Sequence, residues 1–103
     1  MVSKLSPDAV HVVAILEAKP GRVDELRRKL EAAVALVRKE EGCIAYNLHV
    51  DRNDERRFVM IETWANQHAL DAHAEGTAFK ALAANFDDLL DGPLGLTLTE
   101  QLA

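Results

Sequence analysis

Cysteine is nearly missing from this chain: Cys43 stands alone among 103 residues. One thiol cannot close an intramolecular disulfide, and no Cys/His spacing matches a structural zinc site. Cys43 directly follows Gly42 and has no activating base beside it, so a structural role is expected. Positive charge is also short. Twelve Lys and Arg against 17 Asp and Glu leave a net charge of −5, which speaks against the basic footprint of non-specific nucleic-acid binding. No apolar run approaches the roughly 20 residues that span a bilayer. Residues 1–8 lack the apolar core of a secretory signal. The expected location is therefore the cytoplasm, with no membrane and no nucleic-acid partner. Proline and glycine are sparse, at three and five residues, so each one present marks a boundary.

What the chain does have is ordinary for one folded domain. Hydrophobic residues make up 49% and charged residues 28%, which suits a globular core rather than disorder. Residues 1–8 are expected to be a flexible segment and residues 9–103 a single domain. The basic residues Arg27, Arg28, Lys29, Arg38 and Lys39 are interleaved with Glu25, Glu31, Glu40 and Glu41, the pattern of a solvated helix face.

Residues 11–18 (HVVAILEA) are β-branched-rich and apolar on both parities, as in a strand buried on both faces. Lys19-Pro20-Gly21 ends it. In residues 23–41, Val23, Leu26, Leu30, Val34 and Val37 recur at three- and four-residue steps, one apolar stripe of an amphipathic helix. Gly42 then reads as its C-terminal cap. Residues 44–51 alternate, with Ile44, Tyr46, Leu48 and Val50 on one face and Ala45, Asn47, His49 and Asp51 on the other. A polar turn over residues 51–56 leads to a second strand at 57–64, RFVMIETW, completing a hairpin. Asn66 is placed to cap a helix over residues 68–75. Gly76 breaks that helix, and Thr77 is expected to cap its continuation. Asp91-Gly92-Pro93 ends the region, and Leu94, Leu96 and Leu98 alternate along a final strand.

The order β-α-β-β-α-β, with the second helix broken, predicts an α+β ferredoxin-like fold. Helices would cover one face of a four-stranded antiparallel sheet and leave the other bare. The economical cover for a bare apolar face is a second copy of the chain, so a homodimer is expected.

Four stretches carry a further signal. Residues 41–49 (EGCIAYNLH), 57–64 (RFVMIETW), 69–73 (ALDAH) and 79–82 (FKAL) combine a Glu-Gly-Cys turn, a strand tyrosine, an Arg-Phe strand start, Glu-x-Trp at its end, Leu-x-x-His and a downstream Phe. In this the chain, over about residues 10–102, resembles the antibiotic biosynthesis monooxygenase domain family. The resemblance implies a dimeric α+β barrel. It also implies one of several chemistries: cofactor-free oxygenation of quinols or polycyclic aromatics by dioxygen, haem degradation, isomerisation of a phosphorylated sugar-like signal, or no known activity. The haem-degrading members share an Asn in strand one and an axial His downstream of Leu-x-x-His; in this chain those places fall near Ala14 and Ala83, neither of which can serve.

The candidate site rests on five residues. His73 lies one helical turn beyond Leu70 and so shares its inward side, where imidazole could act as a base toward a phenolic substrate. Glu62 interrupts an apolar strand face shared with Phe58, Met60 and Trp64. A buried carboxylate needs a partner, and a Glu62–His73 hydrogen bond would set the imidazole tautomer. Both residues also admit a purely structural role. Trp64, Tyr46 and Phe79 are expected as substrate-binding walls or as core. Asn47 and His49 would line a dimer barrel or face solvent, and His11 and His68 would lie on the surface. No metal site is expected, since His49, Glu62, Asp71 and His73 lack a compact ligand spacing such as H-E-x-x-H.

Three functions remain open. One is a cofactor-independent monooxygenase, an oxidoreductase acting with dioxygen on a quinol or similar small aromatic substrate. Another is an isomerase of a small oxygenated metabolite, which a cationic anchor in the pocket would favour. The last is a non-catalytic ligand-binding or structural dimer, which a pocket too small for an aromatic ring would favour.

Overall fold

The computed structural model describes residues 7–103. Of the segment expected to be flexible, residues 1–6 lie outside the described residues, while Pro7 and Asp8 form an exposed turn. The elements run β1 (Val10–Glu17), α1 (Val23–Val37), β2 (Cys43–Asp51), β3 (Asp54–Trp64), α2 (Gln67–Ala74), α3 (Thr77–Ala83), α4 (Phe86–Leu89) and β4 (Gly95–Thr99). The strands form one antiparallel sheet in the order β2-β3-β1-β4. This is the ferredoxin-like α+β arrangement, with helices on one face. Among the described residues no helix is long and apolar enough to cross a membrane.

The two-residue period of a strand sorts the sheet into an inner and an outer face. Val12, Ala14 and Leu16 of β1 and Phe58, Met60, Glu62 and Trp64 of β3 are buried on the inner face. There α1 lays Leu26, Leu30, Ala33 and Val37 against them. The opposite parity of β1 is only half-buried, not fully buried as expected, because the single chain has no second layer on that side. The outer face carries Val13, Ile15 and Val59, with Ile61 46% exposed beside them.

Three local details differ from the expected pattern, each for a steric or hydrogen-bonding reason. First, α1 ends at Val37 rather than Glu41. The Arg38 guanidinium is drawn to β2, donating to the Tyr46 carbonyl (3.1 Å) and to Asn47 Oδ1 (3.0 Å). Gly42 then turns the chain at φ +83° instead of capping the helix. Second, a bulge between Cys43 and Ala45 puts Cys43 opposite Trp64 and turns Ile44 outward to 51% exposure. A bulge shifts alternation by one residue, so Ile44 does not share the Tyr46 face. Third, the second helical region is split twice. Gly76, not Thr77, is the N-cap of α3. Asn85 then separates α3 from α4, its side-chain N–H donating to the Ala81 carbonyl at 3.0 Å, a competing bond that favours a break.

Asn66 caps α2 as expected, Oδ1 accepting from the Ala69 amide at 2.8 Å. The β2–β3 hairpin is tighter than the expected six-residue turn. Only Arg52 and Asn53 lie between the strands, and Asp51 Oδ1 accepts from the Asn53 amide at 2.7 Å.

Candidate active site

The cap at Asn66 sets the start of α2, and a helix of fixed pitch then determines which way its seventh residue points. That residue, His73, is 6% exposed and lies over the inner face of β3. Its ring stacks on Trp64, with centroids 4.6 Å apart and planes inclined by 29°. Tyr46 meets it edge-on at 5.6 Å, and Phe79, from the first turn of α3, closes the third side at 5.5 Å. Tyr46 and Trp64 are themselves edge-to-face at 6.4 Å. Aromatic pairs in these geometries each contribute about 0.5–1.5 kcal/mol beyond burial, so the box holds the imidazole in one orientation.

Glu62 lies opposite Tyr46 across the β2–β3 ladder and is 5% exposed. Its Oε1 accepts from the Trp64 indole N–H at 2.9 Å. Burial pushes the Glu62 carboxyl above the ordinary carboxylate range; the Trp64 hydrogen bond and the nearby His73 oppose that, and Glu40 adds to it. Tyr46 is pushed up as well, chiefly by burial and then by Glu62, Glu40 and Cys43. The Cys43 thiol is raised by burial and by Glu40 and Glu62, which suppresses the reactive thiolate.

The five candidate residues thus come together, but not in the expected hydrogen bonds. His73 Nδ1 pairs with Glu40 Oε1 at 2.8 Å, whereas Glu62 is engaged by Trp64. The expected Glu62–His73 bond is replaced because Gly42 folds residue 40 back over α2. Sequence patterning assigned Glu40 to a solvated helix face. It lies beyond the end of α1, where helical periodicity no longer says which way a side chain points.

Two concavities meet at His73. The inner one, about 80 Å3, is lined by Tyr46, Glu62, His73, Phe79, Met60 and Leu82, among others. Trp64, expected as a substrate wall or as core, does not line it; the indole lies wholly buried behind the imidazole as part of the core. The outer one is an open groove of about 910 Å3 between the end of α1 and the pair α2 and α3, with Glu40, His73 and Gly76 on its wall. Among the described residues no Lys or Arg lines the inner cavity: Arg56 pairs with Asp91 (2.6 Å) and Arg57 with Asp51 (3.7 Å). Among the described residues no three His, Cys, Asp or Glu converge as a metal site. Asn47 and His49 are exposed on β2, His68 is exposed on α2, and half-buried His11 bonds Thr63 at 3.0 Å on the outer face.

Fold and site together define a ferredoxin-like domain with a buried, aromatic-walled histidine. Residues 9–85 match the family described as antibiotic biosynthesis monooxygenase, and the chain belongs to that family. It is 32% identical over 87 residues to YcnE of Bacillus subtilis, covering 84% of this chain and 92% of that one; the name of YcnE carries a provisional monooxygenase assignment. The crystal structure of PA3566 from Pseudomonas aeruginosa superposes with a TM-score of 0.89 at 34% identity, covering 98% of this chain and all of that one (100%). Rv0793 from Mycobacterium tuberculosis superposes with a TM-score of 0.87 at 27% identity, over 92% and 96% of the two chains.

Proposed function

We propose that the protein is a cofactor-independent monooxygenase that oxidises a quinol or similar electron-rich aromatic with dioxygen. The observation that carries this is the His73 imidazole, buried in an aromatic box and lining an otherwise mainly apolar cavity beside Glu62. His73 takes the phenolic proton, since neutral imidazole is a base near physiological pH. The resulting phenolate is electron-rich enough to reduce dioxygen itself. One oxygen atom enters the ring and the other leaves as water, so a quinol becomes a hydroxyquinone and all the electrons come from the substrate. Tyr46 and Phe79 hold the ring, and the apolar lining keeps bulk water away from the intermediate. Trp64 backs the imidazole from behind.

The same proposal includes a homodimer in the cytoplasm. Val13, Ile15, Val59 and Ile61 form an apolar strip across the two central strands of the outer face, and a second copy would bury it.

One observation favours a second reading, a ligand-binding or structural dimer without catalysis. The cavity of about 80 Å3 is smaller than the roughly 150 Å3 that accommodates benzene in an apolar protein interior. Oxygenation of a ring therefore requires movement at the cavity's rim, where Phe79 and Leu94 are half-buried and Leu96 is 56% exposed. The isomerase reading lacks support for a cationic anchor, since among the described residues no Lys or Arg lines the cavity.

Oxygen consumption by metal-stripped protein against a panel of quinols tests the proposal. Protein-dependent uptake that falls at least about a hundredfold in His73→Ala is the expected result, the usual scale for a lost general base. No uptake with any quinol from folded wild-type protein would transfer the assignment to the non-catalytic reading.

A further inference from the structure

Among the described residues His73 is the one side chain that lines both concavities. Glu40 lines only the groove and Glu62 only the inner cavity. The side chain of His73 is 6% exposed and that of Glu40 is 25% exposed, so the 2.8 Å contact between Nδ1 and Oε1 joins a buried ring to a partly solvated carboxylate. A carboxylate only accepts, so Nδ1 of the neutral ring carries the proton and Nε2 keeps its lone pair. Among the described residues the hydrogen bond made by the His73 ring is at Nδ1, which leaves Nε2 as the ring atom available to a ligand. Glu62 is poorly suited to the same task because its Oε1 already accepts from Trp64.

Resting on the assignment of His73 as the base, we propose that Glu40 is its positioning residue and proton outlet, fixing the imidazole with Nε2 free to accept from a ligand in the inner cavity and releasing the proton to the outer groove. The step balances without redox change. The substrate O–H bond breaks as Nε2–H forms, Nδ1–H breaks as the Glu40 O–H forms, and Glu40 then passes its proton to solvent. The cycle closes when Nε2–H is given to the oxygen that leaves as water, while Glu40 takes a proton back from the groove and returns it to Nδ1, so that no net proton is lost. Gly76 lies beside this contact: a Cβ there would crowd the His73 carbonyl at 3.2 Å and meet Glu40 Oε2 in ordinary contact at 3.5 Å. The other titratable groups facing the ring are Tyr46 from β2 and Glu62 from β3. From α3 it meets Phe79. On its own helix Asp71 is engaged by Gln67, and Glu75 beyond the end pairs with Lys80.

The test uses the full chain with 15N-labelled histidine, the His73 signals being identified by their loss in His73→Ala. In neutral His73, wild type and Glu40→Asp are expected to show protonated Nδ1 and bare Nε2. Glu40→Gln, whose amide can donate to Nδ1, is expected to shift the population toward Nε2–H. A proton on Nε2 in wild type, or unchanged populations in Glu40→Gln, overturns the proposal. With a quinol as probe, Glu40→Gln is expected to lower kcat by at least about tenfold with KM little changed, since an orienting carboxylate on a catalytic imidazole is worth up to about 10⁴-fold in kcat, and Glu40→Asp to recover most of it. Unchanged kcat in Glu40→Gln, while His73→Ala is inactive, overturns the outlet role and leaves the monooxygenase assignment standing. If wild type takes up no oxygen, the monooxygenase assignment fails separately and the tautomer populations alone decide for or against Glu40.

Discussion

Trp64 and Glu62 stand two residues apart on β3, and the indole N–H of one donates to the carboxylate of the other at 2.9 Å. Residues at this spacing point to the same face of a strand, so the pair is built within one element. It provides the only hydrogen bond given to Glu62 among the described residues, while Trp64 also supports the imidazole of His73. Neighbouring carboxylates therefore have different work: Glu62 faces the cavity and Glu40 the solvated groove.

Glu62 makes the protein's stability depend on pH in an unusual direction. Its carboxyl is pushed up in the folded state, by burial first. Between the ordinary carboxylate range and the raised value, the folded state holds a proton that the unfolded state has lost. Stability from this group is thus fully present at low pH and is lost as pH rises through the folded value. Glu62→Gln keeps an acceptor for Trp64 without the charge. Its melting temperature relative to wild type is expected to climb as pH rises above the ordinary carboxylate range, which begins at about pH 4. Calorimetry across that rise in pH checks this; a constant difference would mean that Glu62 is not raised.

Removing the donor rather than the charge should cost more. Trp64→Phe leaves a buried carboxylate without its N–H partner, an effect of about 1–3 kcal/mol, and reduces the stack on His73. Denaturant unfolding is expected to show that loss. Glu62→Met in the same chain is expected to recover part of it, because removing both partners leaves no orphaned group. Simple additivity of the two substitutions would count against the pair.

Gly42 and Gly21 separate backbone strain from packing. Both have positive φ, +83° and +81°. A Cβ at Gly42 would run into the Ala69 Cβ on α2, whereas nothing lies within 4 Å of one at Gly21. Gly21→Ala is expected to cost only the left-handed strain, about 1–2 kcal/mol. Gly42→Ala carries the same strain and also displaces α2, so its melting temperature should drop by several degrees more. Equal melting temperatures would show that α2 yields freely at this contact.

The proposed dimer is open to a direct measurement. Ile61 is 46% exposed on the outer face, so Ile61→Lys is tolerable in a lone chain but buries an unpaired charge if a second sheet covers it. Sedimentation at matched concentrations is expected to find a dimer in wild type and a monomer in the variant, with little change in secondary structure. A monomeric wild type would remove the dimer from the proposal.

The order of elements and most of the core were legible in the chain itself. Leu26, Leu30 and Val37 repeat at helical steps and are buried, and Phe58, Met60, Glu62 and Trp64 share one strand face as their parity requires. The Asn66 cap was equally readable, because it depends on groups three residues apart. These features are local: bond geometry fixes the period, and the period fixes the face. The bulge that turned Ile44 outward depends on pairing with β3, which no property of residues 43–45 alone specifies.

For the site, sequence determined that His73 and Glu62 are polar interruptions of apolar faces, and hence that each needs a partner. It could not determine which partner. That was decided by the turn at Gly42, which brings Glu40 to His73 across 33 positions of chain, and by the strand spacing that lets Trp64 reach Glu62 first. Tertiary structure also decided that Trp64 stands behind the imidazole while Tyr46 and Phe79 line the cavity. The physical reason is the same throughout. Burial can be read from periodicity because it is a property of one element, but a hydrogen-bond pairing belongs to two elements and exists only once their packing fixes the distance between them.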